Sequence, residues 1–181
     1  MGSLKTSLSL AAVVLAGALA GCSNAGKSPD VSSNIRKSLD QAGFKDVSAS
    51  EDRDKGVITL SGHVAADAQK AQAQSIAESQ AAGVAVANQI AVIPPGDTHD
   101  AKAMNSDLDK GIEQNLDAAL IYDKLHDNVK YSVKNHVVTL TGNVDSEDAR
   151  ARAQQVAASV PNVQQVVNEL QVKNQKATAS N

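Results

Sequence analysis

The sequence predicts an α+β protein made of two tandem modules, each with the element order helix-strand-strand-helix-strand. The main observation is an internal repeat: residues 56–92 align without a gap over residues 136–172, at an offset of 80, with thirteen identical positions. The second observation is that apolar residues recur at helical spacing ahead of each repeat. Each module is therefore expected to fold as a three-stranded mixed sheet with two helices on one face.

The first module is predicted to cover residues 31–93, after a short polar tether at residues 22–30. It begins with an amphipathic helix that Gly43 ends, since glycine readily adopts the left-handed conformation that closes a helix. The other elements are expected in this order: strands at 46–50 and 57–61, a helix at 67–80 and a last strand at 84–93.

The second module is predicted to cover residues 108–172, after a polar linker at 94–107 that begins with two prolines. The polar tail at residues 173–181 is predicted to be disordered. The first helix of this module carries an apolar stripe of Leu108, Ile112, Leu116 and Leu120. The other elements are strands at 129–133 and 137–141, a helix at 146–159 and a last strand at 163–172.

Residues 1–21 have the layout of a bacterial signal peptide: one lysine, an apolar stretch too short to span a membrane, and small residues at the end. The ending Leu19-Ala20-Gly21-Cys22 resembles a lipobox, in which the chain is cut before the cysteine and that cysteine is lipidated. Cys22 is the only cysteine, so no internal disulfide can form. A lipid anchor at Cys22 is therefore predicted, and a secreted protein with a stray cysteine is the alternative.

Two short motifs occur in both copies and resemble the BON domain family. The second copy has V-V-T-L-T-G-N-V at 137–144 and V-x-N-x-L-x-V at 166–172, and the first copy matches them at 57–64 and 86–92. The lipobox followed by two such domains is similar to the outer-membrane dual-BON lipoproteins of Gram-negative bacteria. Apart from the lipobox, the chain also resembles the osmotically inducible periplasmic branch of that family.

The resemblance implies binding of anionic phospholipid at the membrane surface and support of outer-membrane integrity, without catalysis of a reaction. The expected location is the outer membrane, facing the periplasm, because Ser23 is not the aspartate that favours inner-membrane retention in enteric bacteria. The alternative function is that of a stress-related chaperone or interaction factor in the periplasm, with envelope proteins as its partners.

One candidate contact surface lies at the end of the first helix of the second module. The apolar run Leu120-Ile121-Tyr122, followed by Lys124, continues past the positions that the core stripe requires. The alternative is that Ile121 and Tyr122 only cap the core. Residues 108–172 hold six basic against nine acidic residues, so attraction to an anionic membrane depends on a local basic cluster rather than on net charge.

Composition and spacing argue against several other functions. Removal of residues 1–21 leaves sixteen Lys and Arg against twenty Asp and Glu, which is unlike a nucleic-acid-binding surface. The four histidines occur singly, and no nucleophile or phosphate-loop motif is present, so we expect neither an enzyme nor a metal, cofactor or small-molecule substrate site. Gly62 and Gly142 end the second strand of each copy and are predicted to serve the backbone rather than a ligand.

Overall fold

The computed structural model describes residues 31–96 and 98–173, and each module in these ranges has the predicted order of elements. The predicted signal peptide, the lipobox with Cys22 and the tether up to residue 30 lie outside the described residues. The first module contains α1 (Ser32–Gln41), β1 (Val47–Asp52), β2 (Val57–Val64), α2 (Asp67–Gln80), β3 (Ala85–Asn88) and β4 (Ala91–Val92). The second contains α3 (Thr98–Tyr122), β5 (Val129–Lys134), β6 (Val137–Val144), α4 (Glu147–Ala158), β7 (Gln165–Asn168) and β8 (Gln171–Val172).

The two sheets have the same topology. In the first module β1 pairs antiparallel with the central strand β2, and β3 and β4 both pair parallel with β2 on its other side. In the second module β5, β6, β7 and β8 repeat this pattern. Because the two short parallel segments follow one path beside the central strand, each sheet has three strand positions. The predicted α+β class with tandem mixed sheets is confirmed.

The core of each module lies between one face of the sheet and the two helices. Alternate residues of the central strands point into it: Ile58 and Leu60 of β2, and Val138 and Leu140 of β6, all without exposed surface. Full burial of one such side chain contributes about 1.5–3 kcal/mol to stability. The helical residues that close the two cores are Ile35, Leu39, Ala73 and Ala77 in the first module, and Ile112, Leu116, Leu120, Ala153 and Ala157 in the second.

The opposite faces of the two sheets meet in a small apolar cluster of Val57, Ala87, Val137 and Val167. Each module supplies one residue from its central strand and one from its parallel edge strand, at positions that differ by 80. This module interface therefore joins equivalent surfaces, as in a two-fold dimer of identical subunits.

One pair of polar contacts beside the cluster follows the same approximate two-fold symmetry. The ammonium of Lys55 lies 2.9 Å from Oε2 of Glu169, and Asn135, which is equivalent to Lys55, donates from Nδ2 to the carbonyl of Gln89 at 2.8 Å. The side chain of Gln165 adds two bonds, because its Oε1 accepts from Asn88 N at 2.9 Å and its Nε2 donates to the carbonyl of Val86 at 2.6 Å. The two modules are thus held together by hydrogen bonds as well as by apolar contact.

The observed elements differ from the expected ones at two places. The predicted linker at 94–107 is non-helical only in its first part, because α3 begins at Thr98 and runs for 25 residues. Its first turns contact the first module, where Nδ2 of Asn105 donates to the carbonyl of Val92 at 3.5 Å. The last strand of each module, predicted as continuous, is interrupted after Asn88 and after Asn168.

These two asparagines explain the interruptions. Nδ2 of Asn88 donates to the carbonyl of Lys70 at 3.1 Å and to Gln74 Oε1 at 3.1 Å, and its Oδ1 accepts from the backbone N–H of Ile90 at 3.4 Å. Asn168 makes the equivalent contacts with Arg150, Gln154 and Leu170. In both copies the asparagine side chain links the second helix of the module to the parallel edge strand by hydrogen bonds. It also pairs with backbone groups at the point where the strand is interrupted.

Gly62 and Gly142 allow two backbones to approach closely. Their φ angles are +115° and +122°, a region that residues with a side chain rarely adopt. A Cβ at Gly62 would overlap the carbonyl oxygen of Asp46, and one at Gly142 would overlap that of Asn128. A side chain is therefore excluded at the end of both central strands by backbone atoms that cannot move aside.

We expect Gly62→Ala and Gly142→Ala each to lower the free energy of unfolding by roughly 3 kcal/mol, since strained backbone and overlap add. Gly43→Ala is the matched control, because Gly43 also has a positive φ of 90° but has no atom within 4 Å of an added Cβ. Its loss should be about 1 kcal/mol. Urea unfolding measures all three, and equal losses would contradict the close-approach explanation.

Candidate functional site

The predicted contact residues lie at the C-terminal end of α3. Ile121 is 56% exposed and Tyr122 is 86% exposed, and the side chain of Lys124 is exposed directly after the helix. The prediction is wrong for Leu120, which is fully buried in the second core and cannot contact a partner. The exposure of Ile121 and Tyr122 also argues against the alternative that they cap the core.

The backbone at this helix end holds Lys124 in a conformation that usually belongs to glycine. Lys124 has a φ of 58°, its N–H donates to the carbonyl of Ile121 at 3.0 Å, and Leu125 N donates to Leu120 O at 2.9 Å. These two bonds form the Schellman motif that closes many helices. In the first module Gly43, with a φ of 90°, fills the same position. A lysine there costs about 1 kcal/mol relative to glycine.

Charged groups surround the exposed apolar residues. A shallow depression of about 390 Å³ is lined by Ile121, Lys124, His126 and Asp127. His126 is positioned by Asp117, whose Oδ1 lies 3.0 Å from His126 Nε2. The nearby basic groups Lys124 and Arg152 are offset by acidic side chains, because Arg152 Nη2 lies 2.6 Å from Oδ1 of Asp123. The surface is therefore apolar with a mixed, nearly balanced charge.

The same Asp117 oxygen accepts a hydrogen bond from the hydroxyl of Tyr131 at 2.9 Å. Burial raises the pKa of Tyr131 to about 12, and the hydrogen bond to Asp117 and the charges of Asp117 and Glu113 act in the same direction. Tyr131 thus remains a neutral donor, and it ties β5 to the last turns of α3.

A second candidate region, which sequence reasoning missed, lies at the module interface. Lys70 of α2 is only 8% exposed, and its Nζ donates to the carbonyl of Asn135 at 3.3 Å and to Gln164 Oε1 at 3.0 Å, both in the other module. It lines a cavity of about 220 Å³ together with His136. Burial lowers the pKa of Lys70, although the charges of Asp67 and Asp109 oppose the shift. No sequence signal marks this lysine, because its burial depends on how the modules pack.

The described residues form neither a metal-binding cluster nor a membrane-spanning helix. Across residues 31–96 and 98–173, no three or more His, Cys, Asp or Glu side chains are grouped closely enough to hold a metal ion. Within those residues, no helix combines the length and apolar character needed to cross a membrane. The C-terminal end of α3 is one place on the described surface where strongly exposed apolar side chains lie beside a cationic group.

Fold and surface together define a class of protein: two αββαβ modules joined through equivalent sheet faces, with exposed apolar side chains and mixed charge at the end of α3. The chain belongs to the BON domain family, whose family model matches residues 28–94 and 108–174.

Among curated proteins, the chain is similar to osmotically-inducible protein Y of Escherichia coli (strain K12). The two are 28% identical over 137 residues, which cover 75% of this chain and 67% of that protein. Two solved structures of CdsD, a structural protein of the type III secretion system of Chlamydia trachomatis, also match. One has 17% identity and a TM-score of 0.33 and covers 79% of this chain and 62% of that chain. The other, which is the C-terminal domain of CdsD, has 16% identity and a TM-score of 0.32. The match covers 78% of this chain and 66% of that chain.

The buried Lys70 predicts a pH dependence of stability. Since its pKa is lowered from 10.5 in the folded state, the unfolded chain binds more protons between that lowered pKa and pH 10.5. The free energy of unfolding should therefore rise with pH across this window, and Lys70→Met should lack this contribution.

Urea unfolding of both proteins at matched pH values tests this expectation. Lys55, whose pKa is raised by its hydrogen bond and ion pair with Glu169, acts in the opposite sense above pH 10.5. It is present in both proteins, so its effect cancels in the difference. A difference in stability that stays constant as the pH rises toward 10.5 would show that the prediction is wrong.

Proposed function

We propose that this protein is a lipid-anchored component of the bacterial envelope that binds anionic phospholipid surfaces through the C-terminal end of α3 and so supports outer-membrane integrity. The observation that carries the proposal is the cluster of exposed Ile121 and Tyr122 beside Lys124. Apolar side chains next to a cationic one suit the boundary between anionic headgroups and acyl chains. The anchor at Cys22 and the location in the outer membrane belong to the same proposal.

The unfavourable conformation of Lys124 supports a functional role for this residue. Glycine closes the equivalent helix of the first module at Gly43, so the fold itself does not require a lysine there. Strained positions that persist although a cheaper residue exists are concentrated at functional sites. The Lys124 cation lies next to the exposed Ile121, where it can meet a lipid phosphate.

The magnitudes indicate a weak contact that depends on the anchor. Each lysine or arginine near an anionic membrane contributes about 1 kcal/mol, and the acidic neighbours Asp123 and Asp127 reduce that attraction. Insertion of Ile121 and Tyr122 adds roughly 1.5–3 kcal/mol for each side chain fully buried. A lipid on Cys22 would keep the modules at high effective concentration beside the membrane, where such a contact is sufficient.

The similarity to osmotically-inducible protein Y supports a role under osmotic stress, because that protein is named for this condition. An envelope protein that contacts the membrane surface fits such a role, since osmotic change places mechanical load on the envelope. The alternative of a chaperone for envelope proteins is one outcome of the first experiment below.

The first test is co-sedimentation of residues 23–181, a span that includes both modules, with vesicles of phosphatidylglycerol or cardiolipin and with zwitterionic vesicles. The protein should sediment with anionic vesicles, and the double variant Ile121→Ser/Tyr122→Ser should bind at least roughly tenfold more weakly.

Met104→Ser is the matched control, since Met104 is 65% exposed on the same helix, roughly 25 Å from Tyr122 along the helix axis. It should bind as the unchanged protein does. Equal, negligible binding of the unchanged protein to both vesicle types would remove the lipid proposal. Suppression of client aggregation by the same protein would then favour the chaperone.

Lys124→Gly should separate stability from binding. Because glycine relieves the positive φ, the free energy of unfolding should rise by up to about 1 kcal/mol. Loss of the cation should weaken binding to anionic vesicles about fivefold, which corresponds to about 1 kcal/mol. Urea unfolding and vesicle binding measure the two effects, and a variant that is more stable but binds as before would show that Lys124 has no part in the contact.

A further inference from the structure

A groove between α3 and α4 opens beside the proposed contact surface. Its volume is about 240 Å³, and its lining includes the apolar residues Ala119, Tyr122 and Val156 together with Asp123, Arg152, Gln155 and Ser159. We call this depression the α3–α4 groove. Tyr122 belongs both to the groove and to the exposed helix end, so a molecule held in the groove would also touch the proposed membrane contact.

Arg152 is held in place by a carboxylate. Its Nε and Nη2 donate to Oδ1 of Asp123 at 3.0 and 2.6 Å. The side chain of Asp123 is 18% exposed and that of Arg152 is 54% exposed. Two of the five N–H groups of the guanidinium are thus used for orientation, and these bonds leave three N–H groups for other acceptors. Such a pre-oriented fork is suited to bidentate contact with a phosphate.

We propose that the α3–α4 groove binds the headgroup phosphate of an anionic phospholipid through Arg152, with the adjoining glycerol and first acyl carbons over Ala119, Val156 and Tyr122. This inference rests on the proposed function and names the lipid group that the surface recognises. It makes Arg152 the residue that receives the phosphate, and Asp123 the residue that positions Arg152.

The neighbouring carboxylate decides which phosphate the groove takes. Because Asp123 neutralises most of the charge of Arg152, the pair exerts little long-range attraction on a free phosphate ion in water. A bound phosphate therefore needs additional contacts. The apolar lining residues Ala119, Tyr122 and Val156 provide apolar contact to a molecule that has carbon atoms next to its phosphate. A phospholipid has both the phosphate and the adjoining carbon atoms, whereas inorganic phosphate has only the phosphate.

The first module provides an internal comparison. The residues of α2 that correspond to Arg152 and Gln155 are Gln72 and Ser75, while Val156 corresponds to the similar Ile76. The first module therefore has a comparable helix pair without the arginine. The two copies differ at the position that would contact a phosphate, and among the residues that the structure describes, large exposed apolar side chains at a helix end occur only in the second copy.

The experiment uses residues 23–181 and two probes, a short-chain phosphatidylglycerol below its micelle concentration and phosphatidylglycerol vesicles. Addition of the short-chain lipid should shift the NMR signals of the Arg152 guanidinium Nη groups saturably, and inorganic phosphate at equal concentration should not. Arg152→Gln, which installs the residue of the first module, should bind phosphatidylglycerol vesicles about tenfold more weakly. The affinity of Arg152→Lys for these vesicles should lie between that of the unchanged protein and that of Arg152→Gln, because an ammonium keeps the charge but cannot form the bidentate contact.

Arg36→Gln is the charge-matched control, because Arg36 is exposed on α1 of the first module. It should change vesicle binding less than twofold. The groove inference is overturned if the unchanged protein binds vesicles but Arg152→Gln binds equally well, if Arg36→Gln is equally harmful, or if inorganic phosphate gives the same shift as the lipid.

The two proposals fail in distinguishable ways. Vesicle binding without a shift at Arg152 removes the groove inference and leaves the membrane function in place. A saturable shift with the short-chain lipid, without binding to vesicles, supports the groove and removes the membrane function. No response to either probe removes both.

Discussion

The constraint on which the structure depends is that two helices cover only one face of a three-stranded sheet. The covered face accounts for each module's own core, in which the central strands supply residues such as Ile58 and Val138. The other face is left to be solvated or to find a partner. In this protein, part of that face packs against the equivalent face of the other module. The contact buries Val57, Ala87, Val137 and Val167. The tandem repeat thus satisfies a surface that a single small module would leave partly exposed.

Within this shared frame, equivalent positions have taken different roles. Some residues that fix backbone geometry are the same in both copies, as with Gly62 and Gly142 or with Asn88 and Asn168. Positions at the surface and at the interface differ. Lys55 forms an ion pair where Asn135 forms a neutral hydrogen bond. The copies therefore keep what the fold requires and diverge where contacts with other surfaces are made.

Two of the differences lie at the far end of α3 and on the neighbouring face of α4. A glycine in the first module is matched by Lys124 in the second, and a glutamine is matched by Arg152. Both replacements add a cation, and both lie beside exposed apolar side chains. Since acidic neighbours keep the local charge nearly balanced, apolar contact would have to supply much of the affinity in the proposed membrane contact, and the proposed lipid anchor would make a weak contact effective.

A large part of the fold was predictable because it depends on local patterns. The repeat indicated two modules, the helix predicted at 67–80 coincides with α2, and the glycines after the central strands indicated close backbone approach. The start of α3 was not predictable, because the polar residues from Thr98 onward carry no apolar stripe of their own. Contacts with the first module, such as that between Asn105 and Val92, add support for these turns that the local pattern does not show.

The candidate site was predicted only in part, and for the same reason. The run from Leu120 to Tyr122 indicated an apolar surplus, but the rotation of α3 against the sheet decided that Leu120 is buried while Ile121 and Tyr122 are exposed. Lys70 is buried against Gln164 of the other module, and Arg152 pairs with Asp123, which directly follows a different helix. In both cases the partners are far apart in the chain. The sequence by itself determined the two modules, their elements and the residue types at the helix end. Only the tertiary structure decided which side chains meet, because burial and charge pairing depend on the packing of elements that are distant in sequence.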